Sequence, residues 1–246
     1  QIYINVTTDT YFREDDHGFL KSCAAMTKPM WESKMSAEYH AGSKAMEPFM
    51  QEMAALLMMP RNTLPSVPFI ADFALVHFCH GLDFPCTKQG CFSEPMVFKM
   101  LSYADWSFYH KYSQLGDTLA LPVLTQIGSR MLARSQSASP ITLAIYGGHE
   151  SSIIPVLISL GTYNRRWIPY ASRLVFELWT KSTDSTDSLN YIRVLFNGES
   201  VTHKLTFCQG NVIHESELCP LNVFLAWLGG GRFEDAHKRY ERLCNR

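Results

Sequence analysis

His149-Glu150 sits behind two glycines in the stretch Tyr146-Gly147-Gly148-His149-Glu150-Ser151-Ser152. An imidazole beside a carboxylic acid can hold an anion and hand a proton to a leaving group, which is the chemistry phosphoryl transfer needs. The glycines let a substrate approach the backbone closely. A plainer role for Glu150 is to open a helix, where a carboxylate favours the positive end of the dipole. The run before the glycines, Ile141-Thr142-Leu143-Ala144-Ile145, is short, β-branched and bounded by Pro140, so a buried strand is expected. Residues 151–160 are apolar and read as a helix. His149 and Glu150 would then lie at the C-terminal end of a central strand, where open α/β sheets place their ligands.

The other elements follow from periodicity. Residues 1–6 read as an opening strand, with a polar loop carrying Asp9, Glu14, Asp15 and Asp16 behind it. Residues 29–113 are helical in pattern. Met46, Phe49, Met50, Met53, Leu56 and Leu57 share one helical face that Pro60 stops, and a Met stripe of this kind fills a core. Residues 69–78, 96–109 and 119–134 give three further helices. Residues 172–180 and 191–196 read as strands joined by the polar turn 183–188, residues 205–207 as a short strand, and 233–243 as a last helix. The order predicts an α/β fold, residues 1–28 and 114–246, interrupted by a helical cap at 29–113.

A chain of 246 residues with 46% hydrophobic content can bury a substantial core, and a net charge of −1 with scattered Lys and Arg argues against nucleic acid. The longest apolar runs are too short to span a bilayer, and no signal peptide is visible at the start. Residue 1 therefore need not be a native initiation site. Cys86-x4-Cys91 and Cys208-x10-Cys219 are spaced for local disulfides, and Asn5-Val6-Thr7 is a glycosylation sequon. Together they predict the secretory pathway, whether Golgi lumen, a lysosome-like compartment or the extracellular space. Seven cysteines leave at least one without a partner in the chain.

Weaker constellations compete. His77, Cys79, His80, Cys86 and Cys91 have plausible zinc spacing, but a core face and a disulfide explain them more simply. Asp184 and Asp187 lie in a polar turn with no His beside them, which disfavours a metal-dependent phosphatase. Gly-rich phosphate loops and the Gly-x-Ser-x-Gly elbow are both missing. The expectation is no cofactor and no metal.

Several segments resemble the histidine acid phosphatases, a branch of the histidine phosphatase superfamily. They are Gly148-His149-Glu150-Ser151, Ile168-Pro169-Tyr170-Ala171-Ser172, Phe176-Glu177-Leu178-Trp179, Arg193-Val194-Leu195-Phe196-Asn197-Gly198, and Cys208 with Cys219-Pro220-Leu221. Phe84-Pro85-Cys86-Thr87, Gly90-Cys91 and residues 173–179 are most similar to a member that acts on a phosphorylated sugar. The likeness implies a histidine-phosphatase-like sheet flanked by helices, with a helical cap. It also implies that a nucleophilic His forms a phosphohistidine, that His149 binds phosphate as the second His, and that Glu150 occupies the acid's position. The family's acid is usually Asp, so Glu150 would need a different rotamer.

The family's Arg-His-Gly-x-Arg-x-Pro motif, which holds the nucleophile, is not found; His17-Gly18 and His80-Gly81 follow Asp and Cys. The resemblance therefore implies the C-terminal part of a phosphatase, partnered by an N-terminal half that supplies the nucleophile and an Arg clamp. The chain alone would be inactive. The other reading is a pseudophosphatase that keeps the fold as a structural or binding protein. Related enzymes form dimers, so a homodimer is a further expectation, with a small phosphorylated substrate as the ligand. By the same likeness Cys244 would bridge to the missing half, and Cys23 lacks its usual partner, with Cys79 as one substitute.

Overall fold

The computed structural model describes Cys23 and residues 32–181, 189–213 and 217–244. The expected opening strand, the sequon at Asn5 and the turn with Asp184 and Asp187 lie outside the described residues. The chain folds as two compact units. Described residues of the first are 32–111 and 164–167; those of the second are Cys23, 112–163, 168–181, 189–213 and 217–244. Residues 164–167, expected in the α/β part, thus join the cap.

The long helices of the cap among the described residues are α1 (Ala37–Leu57), α2 (Val67–Cys79) and α3 (Glu94–Tyr112). Ser36 starts α1, its Oγ accepting from the Tyr39 N–H at 3.1 Å, and Met58 ends it in the left-handed conformation. Met46, Phe49, Met50 and Met53 are buried with Val67, Ile70, Ala71 and Ala74 of α2 and Val97 and Met100 of α3, so the Met stripe is core. Gly42 lets α1 approach α3, because a Cβ there would stand 2.5 Å from the Trp106 ring. Between α2 and α3 the two-residue strands β1 (Cys86–Thr87) and β2 (Gly90–Cys91) pair antiparallel beneath the Cys86–Cys91 disulfide. The 164–167 loop is held by Arg165, which donates to the Tyr109 hydroxyl at 3.0 Å and lies over its ring, and by Trp167 against Phe108.

In the other unit β3 (Leu174–Lys181) and β4 (Leu189–Phe196) form an antiparallel pair from Leu174↔Phe196 to Lys181↔Leu189. On the far edge of β4 lie β5 (Glu199–Ser200) and β6 (Cys219–Pro220), both antiparallel to it. Asn197, at φ 52°, and Gly198, at φ 92°, turn the chain from β4 into β5, a two-residue hairpin loop that Asn-Gly favours. Among the described residues, α4 (Gly116–Ser135), α5 (Glu150–Ser159), α6 (Leu221–Gly229) and α7 (Ala236–Cys244) accompany the sheet. Leu124, Ile192, Val194, Leu205, Phe224 and Leu228 are completely buried in their shared core. A Cβ at Gly116 would meet Ile158 at 2.5 Å, and one at Gly128 would meet Leu228 at 2.7 Å, so glycine sets how closely α4 approaches α5 and α6. The molecule has the mixed helix and sheet architecture read from the sequence.

Two expected strands differ. Residues 205–207 fall in a 3-10 turn, Thr206–Cys208, that carries Cys208 to the disulfide with Cys219. Residues 141–145 are not a buried strand. Ile141, Leu143 and Ile145 are 46%, 74% and 84% exposed, and the run pairs with no strand among the described residues. A β-branched apolar run satisfies its backbone as a strand only where a ladder partner lies alongside.

Candidate active site

His149 caps α5. Its backbone is extended, at φ −117° and ψ −179°, and its N–H donates to Ser152 Oγ at 3.0 Å. Its carbonyl accepts from the N–H groups of Ser152 and Ile153, at 3.0 and 3.2 Å. A serine three residues on therefore starts the helix at this position, closing half of a capping box. Glu150 is the first helical residue and is half-buried; the His149 side chain is exposed. Both groups stand at the positive end of α5, where anions are favoured. The helix behind the pair forms as read, but the central strand expected to end at it does not, so His149 and Glu150 open a helix without standing at a strand's C-terminal end.

Gly147 and Gly148 have no left-handed backbone among the described residues, and a Cβ on Gly147 would meet nothing within 4 Å. Nothing packed here demands glycine at 147, which leaves the space in front of that backbone open, as close approach by a ligand would require. Arg130, on α4, places its guanidinium 5.9 Å from the centre of the Tyr146 ring, and its Nε is buried with no acceptor among the described residues. Sequence reasoning missed Arg130, because one Arg on an amphipathic helix carries no spacing signal. Among the described residues Arg130 sets a cation against the loop leading to His149.

The other matched motifs converge on β3 and β4. Residues 168–172 end in a turn with Ala171 at φ 55°, and Asn197 holds that turn. Its Oδ1 accepts from the Arg173 N–H at 2.9 Å, and its Nδ2 donates to Ser172 Oγ at 3.1 Å. Glu177 faces Arg193 across the pair, accepting from Arg193 Nε at 2.7 Å and Trp179 Nε1 at 2.9 Å. Burial pulls the Glu177 carboxyl upward, but those two hydrogen bonds outweigh it and hold the group below the usual carboxylate range. These residues stiffen the hairpin, and Glu177 is committed to its two donors rather than to acid–base work.

The cysteines pair as Cys86–Cys91, Cys208–Cys219 and Cys23–Cys244. Cys244 is therefore bonded within the chain, which corrects the reading that sent it to a missing half. The exposed thiol is Cys79. The correction has a simple cause: a 221-residue separation is invisible to arguments from spacing, whereas separations of 5 and 11 residues are not. With Cys86 and Cys91 bonded to each other and His77 Nδ1 placed 2.9 Å from the Asp83 carbonyl, the zinc constellation does not assemble.

Residues 17–197 match the family described as the histidine phosphatase superfamily, branch 2. The chain belongs to that family. It is 31% identical to 2-phosphoxylose phosphatase 1 of Xenopus tropicalis over 224 residues, covering 87% of this chain and 44% of that protein. Over 180 residues it is 33% identical to the human protein of the same name, covering 69% of this chain and 36% of that one. A lysosomal acid phosphatase of Xenopus laevis is 26% identical over 216 residues, 85% of this chain and 47% of that protein. The chain thus spans less than half the length of the curated relatives it matches. Those relatives are phosphatases. No described helix is long and apolar enough to cross a membrane.

Proposed function

We propose that this chain is the C-terminal part of a phosphomonoesterase that works through a phosphohistidine, in the lumen of the secretory pathway. The observation that carries the reading is the His149-Glu150 pair at the positive end of α5, in a chain of the histidine phosphatase family. A nucleophilic histidine from sequence beyond this chain attacks phosphorus as the bond to the leaving alcohol breaks. Glu150 gives that alkoxide its proton. The resulting carboxylate then takes a proton from water, whose oxygen attacks phosphorus and releases phosphate and the free histidine. His149 holds the non-bridging oxygens throughout, and Arg130 adds positive charge beside the loop. The family resemblance and the relatives named for 2-phosphoxylose point to a phosphorylated sugar as substrate.

The bare run at residues 141–146 supports a site completed from outside: its apolar side chains need a cover, and the matched relatives are more than twice as long. A pseudophosphatase is the second reading, favoured by one observation. Glu150 lies in the first turn of α5, where a carboxylate stabilises the helix without any catalysis. Brief reaction of the full-length protein with a labelled phosphomonoester, followed by alkaline quenching, separates the two. An acid-labile, alkali-stable phosphohistidine supports the enzyme; the complete absence of label and of turnover establishes the pseudophosphatase.

A further inference from the structure

Arg165 stands in the loop at residues 164–167 with its backbone in the left-handed region, at φ 61°. Glycine takes that conformation freely, whereas a Cβ makes it costly, so the side chain at this position needs a reason. It is held in one place: the guanidinium lies 4.0 Å from the centre of the Tyr109 ring and donates from Nη2 to the Tyr109 hydroxyl at 3.0 Å. An arginine has five N–H donors, and among the described residues this one meets no carboxylate. The residue is exposed, so a stacked, pre-organised cationic fork keeps most of its donors for something outside the chain. Arg166 beside it is 77% exposed, and its one acid partner, Asp105 Oδ2, is 3.9 Å away, beyond hydrogen-bond reach. Asp105 accepts from the Trp167 N–H, but its Oδ1 is buried with no donor among the described residues. Burial pushes this carboxyl above the usual carboxylate range against the pull of Arg166, as an under-satisfied oxygen should be. Trp167, half-buried with its ring 5.6 Å from that of Phe108, sets aromatic surface beside these groups.

We propose that the 164–167 loop, with Asp105 and Tyr109 of α3, is a binding site for an acidic saccharide. The two guanidinium groups take its oxyanion, a carboxylate or a sulfate ester, as paired donors. Asp105 selects among anions. A bare inorganic anion meets only repulsion from that carboxylate, whereas a sugar acid also brings hydroxyl groups, and a hydroxyl is the donor that Oδ1 lacks. Arg166 stands beside Oδ2 without a hydrogen bond and with most of its side chain in water, so it can turn from Asp105 to a ligand at little cost. The edge of Trp167 offers the apolar face on which a sugar ring packs, in the usual mixture of aromatic wall and few polar groups. The choice of a saccharide over an acidic peptide rests also on the phosphorylated-sugar reading above; the anion site itself does not. Every residue of this site belongs to the cap unit.

Calorimetric titration of the full-length protein tests it, with galacturonate tetrasaccharide, a sulfated galactose tetrasaccharide, neutral galactotetraose and tetraglutamate as probes. The acidic saccharides should bind and the other two should bind much more weakly; whichever acidic saccharide binds tighter identifies the oxyanion. Arg165→Gly suits the left-handed backbone and removes only the side chain, and it should weaken binding by about 10-fold or more. Arg165→Lys keeps the charge without the stacked fork and should recover little of that loss. Arg61→Ala, which removes an exposed cap arginine already paired with Glu47, should leave the affinity unchanged, and thermal melts check that each variant is folded. Turnover of a nitrophenyl phosphate, followed in parallel, should be the same in Arg165→Gly as in the wild type. Binding without turnover supports this site and removes only the catalytic reading; turnover without binding of either acidic saccharide overturns this site and leaves the catalytic reading standing. Equal binding of galactotetraose or tetraglutamate overturns the proposal, as does an unchanged affinity in folded Arg165→Gly.

Discussion

Replacing Glu150 with Gln removes a charge and an acid while keeping the shape of the side chain, so it separates the two roles open to this residue. As a helix-opening carboxylate in the first turn of α5, half-buried, Glu150 contributes about 0.3–1 kcal/mol to stability. The capping bond from the His149 N–H to Ser152 Oγ is untouched by the change, so the helix still starts at the same place. As a proton donor Glu150 contributes about 100- to 10,000-fold in rate, or roughly 3–5 kcal/mol at the transition state. The assay is kcat/KM of the full-length protein on an alkyl phosphate and on a nitrophenyl phosphate, beside a thermal melt. A nitrophenolate leaves without much help, so the loss on that substrate should be much smaller than on the alkyl ester. Glu150→Asp shortens the arm by one methylene and should cost about 100-fold if the site is built around the longer acid. Equal losses on both esters, or undiminished activity on the alkyl ester, would refute the assignment and leave Glu150 as a helix-stabilising residue.

Leu143→Asp in the chain described here should change stability by less than about 0.5 kcal/mol, because the side chain is already in water. In the full-length protein the same change should cost several kcal/mol or abolish soluble expression, since it buries an unpaired carboxylate; equal behaviour in both would contradict completion of the fold over this run. Removing the Cys23–Cys244 bridge should lower unfolding free energy by about 5 kcal/mol, against about 2 kcal/mol for Cys86–Cys91, from the loop lengths that they close. Denaturant titration of the paired serine variants measures both. Glu177→Gln should cost about 1 kcal/mol at neutral pH. Because the folded carboxyl lies below its ordinary value, this stabilisation is present above the unfolded value near 4.3 and disappears as pH falls through the folded one, so wild-type and variant melts should converge in acid.

The sequence was most legible where local pattern and local packing agree. The Met stripe of α1 and the apolar face of α4 needed only helical period and a core to lie against, and the motifs at residues 168–172 and 193–198 meet through Asn197. The helix behind His149 was legible from the apolar run at residues 151–160, and the cap that fixes its start, the His149 N–H on Ser152 Oγ, was not. Legibility failed where the deciding partner is remote in sequence. Residues 141–145 have a strand's composition and no strand beside them, and composition alone cannot report a missing neighbour. Cys244 finds Cys23 across almost the whole chain, and Arg130 reaches Tyr146 from a different element. Residues 205–207 carry strand-like residues but turn instead, because Cys208 must reach Cys219 in the core.

The loop at residues 164–167 has a consequence for how the protein is made. Its Arg166 lies 3.9 Å from Asp105, and Trp167 packs on Phe108. Between the last residue of α3 and this loop lie 51 residues, 113–163, all of which belong to the other unit. At a ribosome's pace of about 5–20 residues per second, the cap helices leave the exit tunnel roughly 3–10 s before the loop that braces Asp105 and Phe108. For that interval a half-buried carboxylate and an aromatic face on α3 stand without their partners, which is when a chaperone would have something to hold.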